Sequence, residues 1–247
     1  MCNDNIKEAL KYAVDLSEGQ EVIYHENEKT WVDTDKATLR PLEPIRYAET
    51  LTVNTLTGLV DYLKSCFDKH EADEKLLVNI ESPTEVVVYS KLNSDRKRES
   101  IVKAAAVLDR FPYGKFMDSE KFIINIQSLF KREKDAEAIL KCASAIRIEG
   151  GGDLKDDGIS QQVTVKHGAT AKVAEVPSPA VLIPYRTFLE VDQPDSQFVF
   201  RIDKDGDCAL FEADGGMWKY NAKESIDKYL NEQLGEEIEQ GYLTIIS

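Results

Sequence analysis

Four prolines break up one apolar run, VPSPAVLIPYRTFLEVDQPDSQFVFRI, from Val176 to Ile202. Their spacing limits it to short extended pieces. Proline fixes φ and removes a backbone donor, so Pro177, Pro179, Pro184 and Pro194 belong at strand starts, edges or turns. Val181-Leu182-Ile183 leads through Pro184 into Tyr185 to Val191, and Gln197 to Ile202 alternates apolar and polar. Side chains along a strand point to opposite faces in turn, so Phe198, Phe200 and Ile202 share one side. The same rule places Tyr185, Thr187, Leu189 and Val191 on one face of a second strand, with Arg186, Phe188 and Glu190 on the other. Asp203-Lys204-Asp205-Gly206-Asp207 then predicts a hairpin turn into Cys208-Ala209-Leu210-Phe211.

Elsewhere a helical period governs. Ile6, Ala9, Leu10, Ala13 and Val14 predict a helix over 5–16, capped by Asp4 or Asn5 and stopped at Gly19. Leu56, Leu59, Val60, Leu63, Cys66 and Phe67 predict another from Asn54 to Lys69, ended by Glu71-Ala72-Asp73-Glu74. Ala104, Ala105 and Ala106 favour a small-faced helix from Arg98 to Leu108. A fourth helix starts at Ser119 with Phe122, Ile126 and Leu129 on its apolar side. A fifth is capped by Asp135 and terminated by Gly150-Gly151-Gly152. Asn221, with Glu224 three residues on, resembles a capping box for a last helix through Ile226, Leu230 and Leu234.

Strands are expected at Glu21–Tyr24 and Thr30–Val32, and at Leu76–Ile80 and Glu85–Tyr89 around the turn Glu81–Thr84, where the valine run suits burial on both faces. Gln161–Lys166 should be a further strand. The tail from Gly241 to Ile246 reads as a last strand or as a segment pairing with a neighbouring copy. Helices and strands come in groups, which predicts an α+β fold with helices packed on a largely antiparallel sheet. Composition divides the chain into an N-terminal arm over 1–45, with a polar linker at Asp33–Pro44, a main domain over 46–235 and a tail over 236–247.

The net charge of −14 argues against broad nucleic-acid or membrane binding. No apolar run approaches the ~20 residues needed to span a bilayer. A polar N-terminus and the scattered Cys2, Cys66, Cys142 and Cys208 lead us to expect a reducing, cytoplasmic setting. Phosphate-loop, nucleophile-elbow and zinc-protease patterns are missing. Gly150-Gly151-Gly152 is followed by Asp153, where a phosphate cradle needs lysine. In Asp203–Asp207 the glycine comes fourth, not sixth as in a calcium loop. These patterns predict no catalytic residue, metal ligand or cofactor. Lys91–Lys134 holds 11 Lys and Arg against 6 Asp and Glu, a net of +5, which leaves −19 on the remainder. Arg96, Lys97, Arg98 and Lys103 are the candidates there for a nucleic-acid or subunit contact, against the plain alternative of a solvated face. Arg186 and Arg201 sit among apolar residues. Pairing of such an arginine with Glu190, Glu212 or an inter-subunit carboxylate is expected, and Arg186 is the candidate ligand-binding residue.

The segments Val176–Pro179, Pro184–Phe188, Glu190–Pro194 and Phe198–Arg201, with Glu81–Thr84 and Phe122–Phe130, resemble a family of tailed-phage and prophage proteins of unknown function. The resemblance spans roughly Leu51 to Leu234 and carries no functional residue with it. It implies a phage-encoded accessory protein in the cytoplasm of a bacterial host, of a kind that often acts as an oligomer. The leading expectation is a non-enzymatic, self-associating protein, with a shell on the tailed-phage capsid fold as one form. The alternatives are a nucleic-acid-associated recombination or replication factor, and a binder of a small nucleotide signal.

Overall fold

The computed structural model describes residues 3–17, 22–26, 29–33, 39–41, 48–68, 75–93, 96–149, 153–156, 161–167, 170–175 and 177–247. Gly19, Glu71–Glu74 and Gly150–Gly152, each expected to end a helix, lie outside the described residues. The chain divides into two compact units, Met1–Ala48 and Glu49–Ser247.

In the first unit the period of Ile6, Ala9, Leu10 and Ala13 yields helix α1 (Asn3–Ser17). Strands β1 (Val22–Glu26) and β2 (Lys29–Asp33) form the expected hairpin, with Tyr24 opposite Trp31. The polar piece read as a linker contains a third strand, β3 (Leu39–Pro41), antiparallel to β2. The free edge of β2 supplies backbone partners, and these outweigh the polar composition of the segment.

The second unit is built from two helix-on-sheet layers, which confirms the α+β class. Its larger sheet contains β4 (Leu51–Val53), β5 (Leu76–Ser82), β6 (Glu85–Tyr89), β7 (Ser100–Ala105) and β14 (Leu243–Ile246), in the order β14-β5-β6-β7-β4. Its centre is antiparallel and both outer pairings are parallel. Helices α2 (Leu56–Ser65) and α5 (Met217–Gln233) cover it, burying Leu56, Leu59, Leu63, Ile226 and Leu230 against Val78, Ile80, Val86, Val88 and Val102. Val87 is buried as well, so the central strand β6 is covered on both faces as its valine run predicts. The C-terminal strand lies in this chain's own sheet, with Leu243 opposite Leu76.

Helices α3 (Ser119–Leu129) and α4 (Ala136–Glu149) form the second layer on β11 (Ala180–Leu182), β12 (Ser196–Ile202) and β13 (Cys208–Glu212). Phe198, Phe200 and Ile202 of β12 all point into that core with Phe122, Ile126 and Ile139. Strands β8 (Asp153–Asp156), β9 (Gln161–His167) and β10 (Thr170–Glu175) form a separate antiparallel sheet, and the short helix α6 (Gly235–Glu239) precedes β14.

Three local expectations are corrected. Ser100–Ala105 is strand β7, not helix. The slot between β6 and β4 offers hydrogen-bond partners on both sides, and the β-branched Ile101-Val102 fits a pleated surface better than the alanines favour a helix. Tyr185–Val191 is not a strand; after the bridge between Phe130 and Pro184 the chain leaves the sheet and wraps around the buried Gln193. Helix α5 begins at Met217, because Gly215 (φ 64°) and Gly216 (φ 84°) turn the chain in the left-handed region that glycine alone enters freely. Asp135 stands at the N-cap of α4 as expected, its carbonyl accepting from Ile139 N–H at 3.1 Å, but its carboxylate accepts from Val181 N–H of β11 at 2.8 Å.

Candidate functional site

Arg186 leaves the sheet one residue past Tyr185, and its backbone N–H donates to Gln193 Oε1 at 2.9 Å. That bond fixes the start of its side chain. The guanidinium then runs beneath the first turn of α5. Its Nη1 donates to Glu212 Oε1 at 2.7 Å and its Nη2 to Ser196 Oγ. Its Cζ lies 4.1 Å from the centroid of Trp218, 5.5 Å from Phe198 and 5.9 Å from Tyr113. Three rings around one desolvated cation give a favourable cation–π setting. Trp218 reaches it because the Gly215-Gly216 turn is held by Asp214, whose Oδ1 accepts from Gly216 N–H at 3.0 Å.

Arg186 is 9% exposed and opens onto a cleft of about 520 Å³. The β5–β6 turn Ser82-Pro83-Thr84 forms one wall, the loop from Leu108 to Tyr113 another, and Tyr185, Trp218 and Lys219 a third. The volume lies within the roughly 300–1,000 Å³ usual for small-molecule sites. Thr187 Oγ1 donates to the Pro83 carbonyl and so ties the Arg186 loop to the β5–β6 turn.

Burial pulls the guanidinium below its ordinary pKa, while Tyr113, Glu212 and Asp214 work in the opposite sense. Burial opposes ionisation of Asp214, but Ser196, the backbone N–H groups of Gly216 and Trp218, and Arg186 together hold its carboxyl below the usual range. Burial first, then Glu212 and Asp214, push the Tyr113 hydroxyl well above its ordinary pKa against the pull of Arg186. Tyr113 Oη, Arg186 Nε and Asp214 Oδ2 are buried without a hydrogen-bond partner. Such orphaned atoms are uncommon in native structures and cost about 1–3 kcal/mol each. Tyr113 and Arg186 line the cleft and Asp214 does not, and the three orphaned atoms are themselves enclosed by the protein.

Of the arginine partners expected from sequence, Glu212 is the one Arg186 takes. Glu190 accepts instead from Thr57 N–H at the start of α2, at 3.3 Å, and Arg201 Nη1 bonds the Phe200 carbonyl at 3.3 Å. Arg96, Lys97 and Arg98 lie exposed in the loop before β7, where Arg98 Nη1 bonds the Ser90 carbonyl at 3.0 Å. Lys103 is on β7 itself and is paired with Glu85, so its charge is met within the fold. The cleft takes in none of these four.

Sequence reasoning picked out Arg186 but missed Tyr113 and Trp218. The one available signal was a tryptophan two residues after a Gly-Gly turn.

Asp203 Oδ1 caps its own turn, accepting from Asp205 and Asp207 N–H at 3.0 Å each. Among the described residues no three of His, Cys, Asp and Glu come together as metal ligands do. Cys142 and Cys208 are fully buried, and burial pushes their thiols up to about 11 and about 12, so neither is a thiolate near neutrality. Among the described residues no helix is long and apolar enough to cross a membrane. Comparison with family models, curated proteins and solved structures finds no match for this chain.

Proposed function

We propose that this chain is a binding protein for a small molecule held in the cleft at Arg186. One observation carries the reading: a buried, aromatic-caged arginine opens onto a cleft of ligand size. A purely structural arginine would have its donors matched inside the fold. A thermal-shift screen of the full chain against amino acids, dicarboxylates, sugars and nucleotides tests it. A compound present at 100 times its Kd stabilises the folded state by about 2.7 kcal/mol, which for a unit of this size is a rise in Tm of about 5–10 °C. The rise is expected to vanish in Arg186→Met, which keeps the packing volume but not the donors. If no compound shifts Tm, or the shift survives in that variant, the cleft is not the site.

Self-association is the second reading, and the resemblance to phage proteins is compatible with either. It is favoured by α1, where Ile6 and Leu10 share a face and are 58% and 60% exposed. Native mass spectrometry is expected to give a multiple of the chain mass, reverting to the monomer in Ile6→Asp/Leu10→Asp. A monomeric full chain would rule this reading out.

A further inference from the structure

We infer that the ribbon joining β6 to β7 docks on duplex DNA, its exposed cations against phosphates of the major groove. None of its residues, from Ser90 to Glu99, lines the cleft. β5 pairs with β6 as far as Tyr89, and β4 pairs with β7 only from Val102. The bonds that carry the ribbon further are internal to it. Ser90 N–H donates to the Glu99 carbonyl and Asn93 N–H to the Lys97 carbonyl, at 2.9 Å each. Arg96 N–H closes the turn on the Asn93 carbonyl at 2.9 Å, and Asn93 Oδ1 accepts from Lys97 N–H at 2.9 Å.

This backbone presents charge at its tip. Lys91, Arg96, Lys97 and Arg98 are exposed, and no ion pair among the described residues includes any of them. Lys103, further along β7, is by contrast paired with Glu85. The carboxylates of the same segment are Asp95 and Glu99, so residues 91–99 carry four cations against two. Glu99 is half-buried at the base of the ribbon, where its N–H bonds Ser90 Oγ at 2.9 Å. Arg98 Nη1 bonds the Ser90 carbonyl, which fixes the guanidinium along the ribbon and leaves its other N–H donors for a partner. Arg96 has a φ of 58°, a left-handed conformation that a residue with a side chain adopts at a cost.

Unpaired cations on a projecting ribbon suit a polyanion. Shape narrows the choice. The major groove of B-form DNA, about 12 Å wide, admits a two-stranded ribbon, whereas its minor groove and the narrow major groove of A-form RNA do not. Ser90 to Glu99 includes no aromatic residue to stack on an unpaired base, which disfavours a single strand. Asn93, suited by its amide to read adenine, spends its Oδ1 on Lys97 N–H, so the contact is with phosphates and independent of base sequence. The net charge of −14 repels DNA from the rest of the surface and keeps the binding weak.

The test is fluorescence anisotropy of the full chain with a labelled DNA duplex, the same sequence as a single strand, double-stranded RNA and polyglutamate. Duplex DNA is expected to bind most tightly, its affinity falling roughly 100-fold between about 50 and about 200 mM salt, as four phosphate contacts require. Arg96→Ala and Lys97→Ala should each reduce the salt slope by about one, and Lys228→Ala on α5 should leave it unchanged. Arg96→Gly should weaken binding as Arg96→Ala does with Tm held or raised, because glycine adopts this turn freely, and this separates a lost contact from lost folding. Absence of duplex binding at the lowest salt would overturn the inference, as would binding that survives Arg96→Glu/Lys97→Glu/Arg98→Glu. Single strand or RNA bound as tightly as the duplex would overturn it too. Polyglutamate bound as tightly would assign the tip to an acidic protein instead, and self-association lost in the triple variant would assign it to a second copy.

Discussion

Phe198→Ala is expected to cost about 3–5 kcal/mol of folding stability, a third or more of what a typical domain possesses. Phe198 is fully buried on β12, at the meeting point of the aromatic cluster. Its ring stacks on Tyr113 at 5.4 Å with 15° between planes and meets Phe130 edge-on at 6.3 Å. It also lies under Arg186. Alanine removes the transfer free energy of the ring and leaves a cavity that β12, held between β11 and β13, cannot close. Urea unfolding should show the midpoint falling with its slope unchanged, because the surface exposed on unfolding hardly alters. Phe198→Leu should recover most of the loss, since it returns most of the volume without the ring contacts. A cost below about 1 kcal/mol for the alanine variant would mean that this cluster does not hold the layer together.

Gln193→Ala is expected to cost about 3 kcal/mol and to weaken the proposed ligand binding in the cleft at least tenfold. Gln193 is a buried polar side chain that replaces the sheet ladder the neighbouring residues never form. Its Oε1 accepts from Arg186 and Thr187 N–H at 2.9 and 3.2 Å, and its Nε2 donates to the Phe188 carbonyl at 2.8 Å. Without it those backbone groups lie buried and unmet, at roughly 1–3 kcal/mol each. Our figure is near the lower end of that sum because Val191, the loop's other partner, is half-exposed and can admit water. Gln193→Glu should not rescue the loop: it keeps the acceptor but removes the donor and buries a charge. Hydrogen exchange separates this from a general loss of stability. Amides of Arg186 and Thr187 should lose protection well before those of β12. Unchanged protection at those two amides would contradict the role.

Several residues show where sequence reading succeeds. The alternation of Phe198, Phe200 and Ile202 and the helical spacing of Leu56, Leu59 and Leu63 each lead to the correct element and the correct buried face. The turn at Asp203–Asp207 does so too, since Asp203 serves it through its own carboxylate. Three failures have a common cause. Ser100–Ala105 has alanines that favour a helix in isolation, yet it lies between two strands that supply its hydrogen bonds. Tyr185–Val191 alternates like a strand, yet β12 has β11 beside it for three residue pairs only, and Gln193 captures the rest of the chain. Asn221 resembles a cap, yet two glycines with positive φ have already started the helix.

Within the cleft, Arg186 stood out in the sequence because a charge among apolar residues must find a partner. Its surroundings did not, since Tyr113, Glu212 and Trp218 come from a loop, a strand and a helix far apart in the chain. What this sequence determined by itself is which faces of its helices and strands turn inward, because side-chain direction repeats with a local period of 3.6 or 2 residues. Only the tertiary structure decided which strand edges meet and which distant polar groups share one cleft. Hydrogen-bond pairing and burial join residues that have no sequence pattern in common, and the outcome depends on which partners the rest of the fold leaves free.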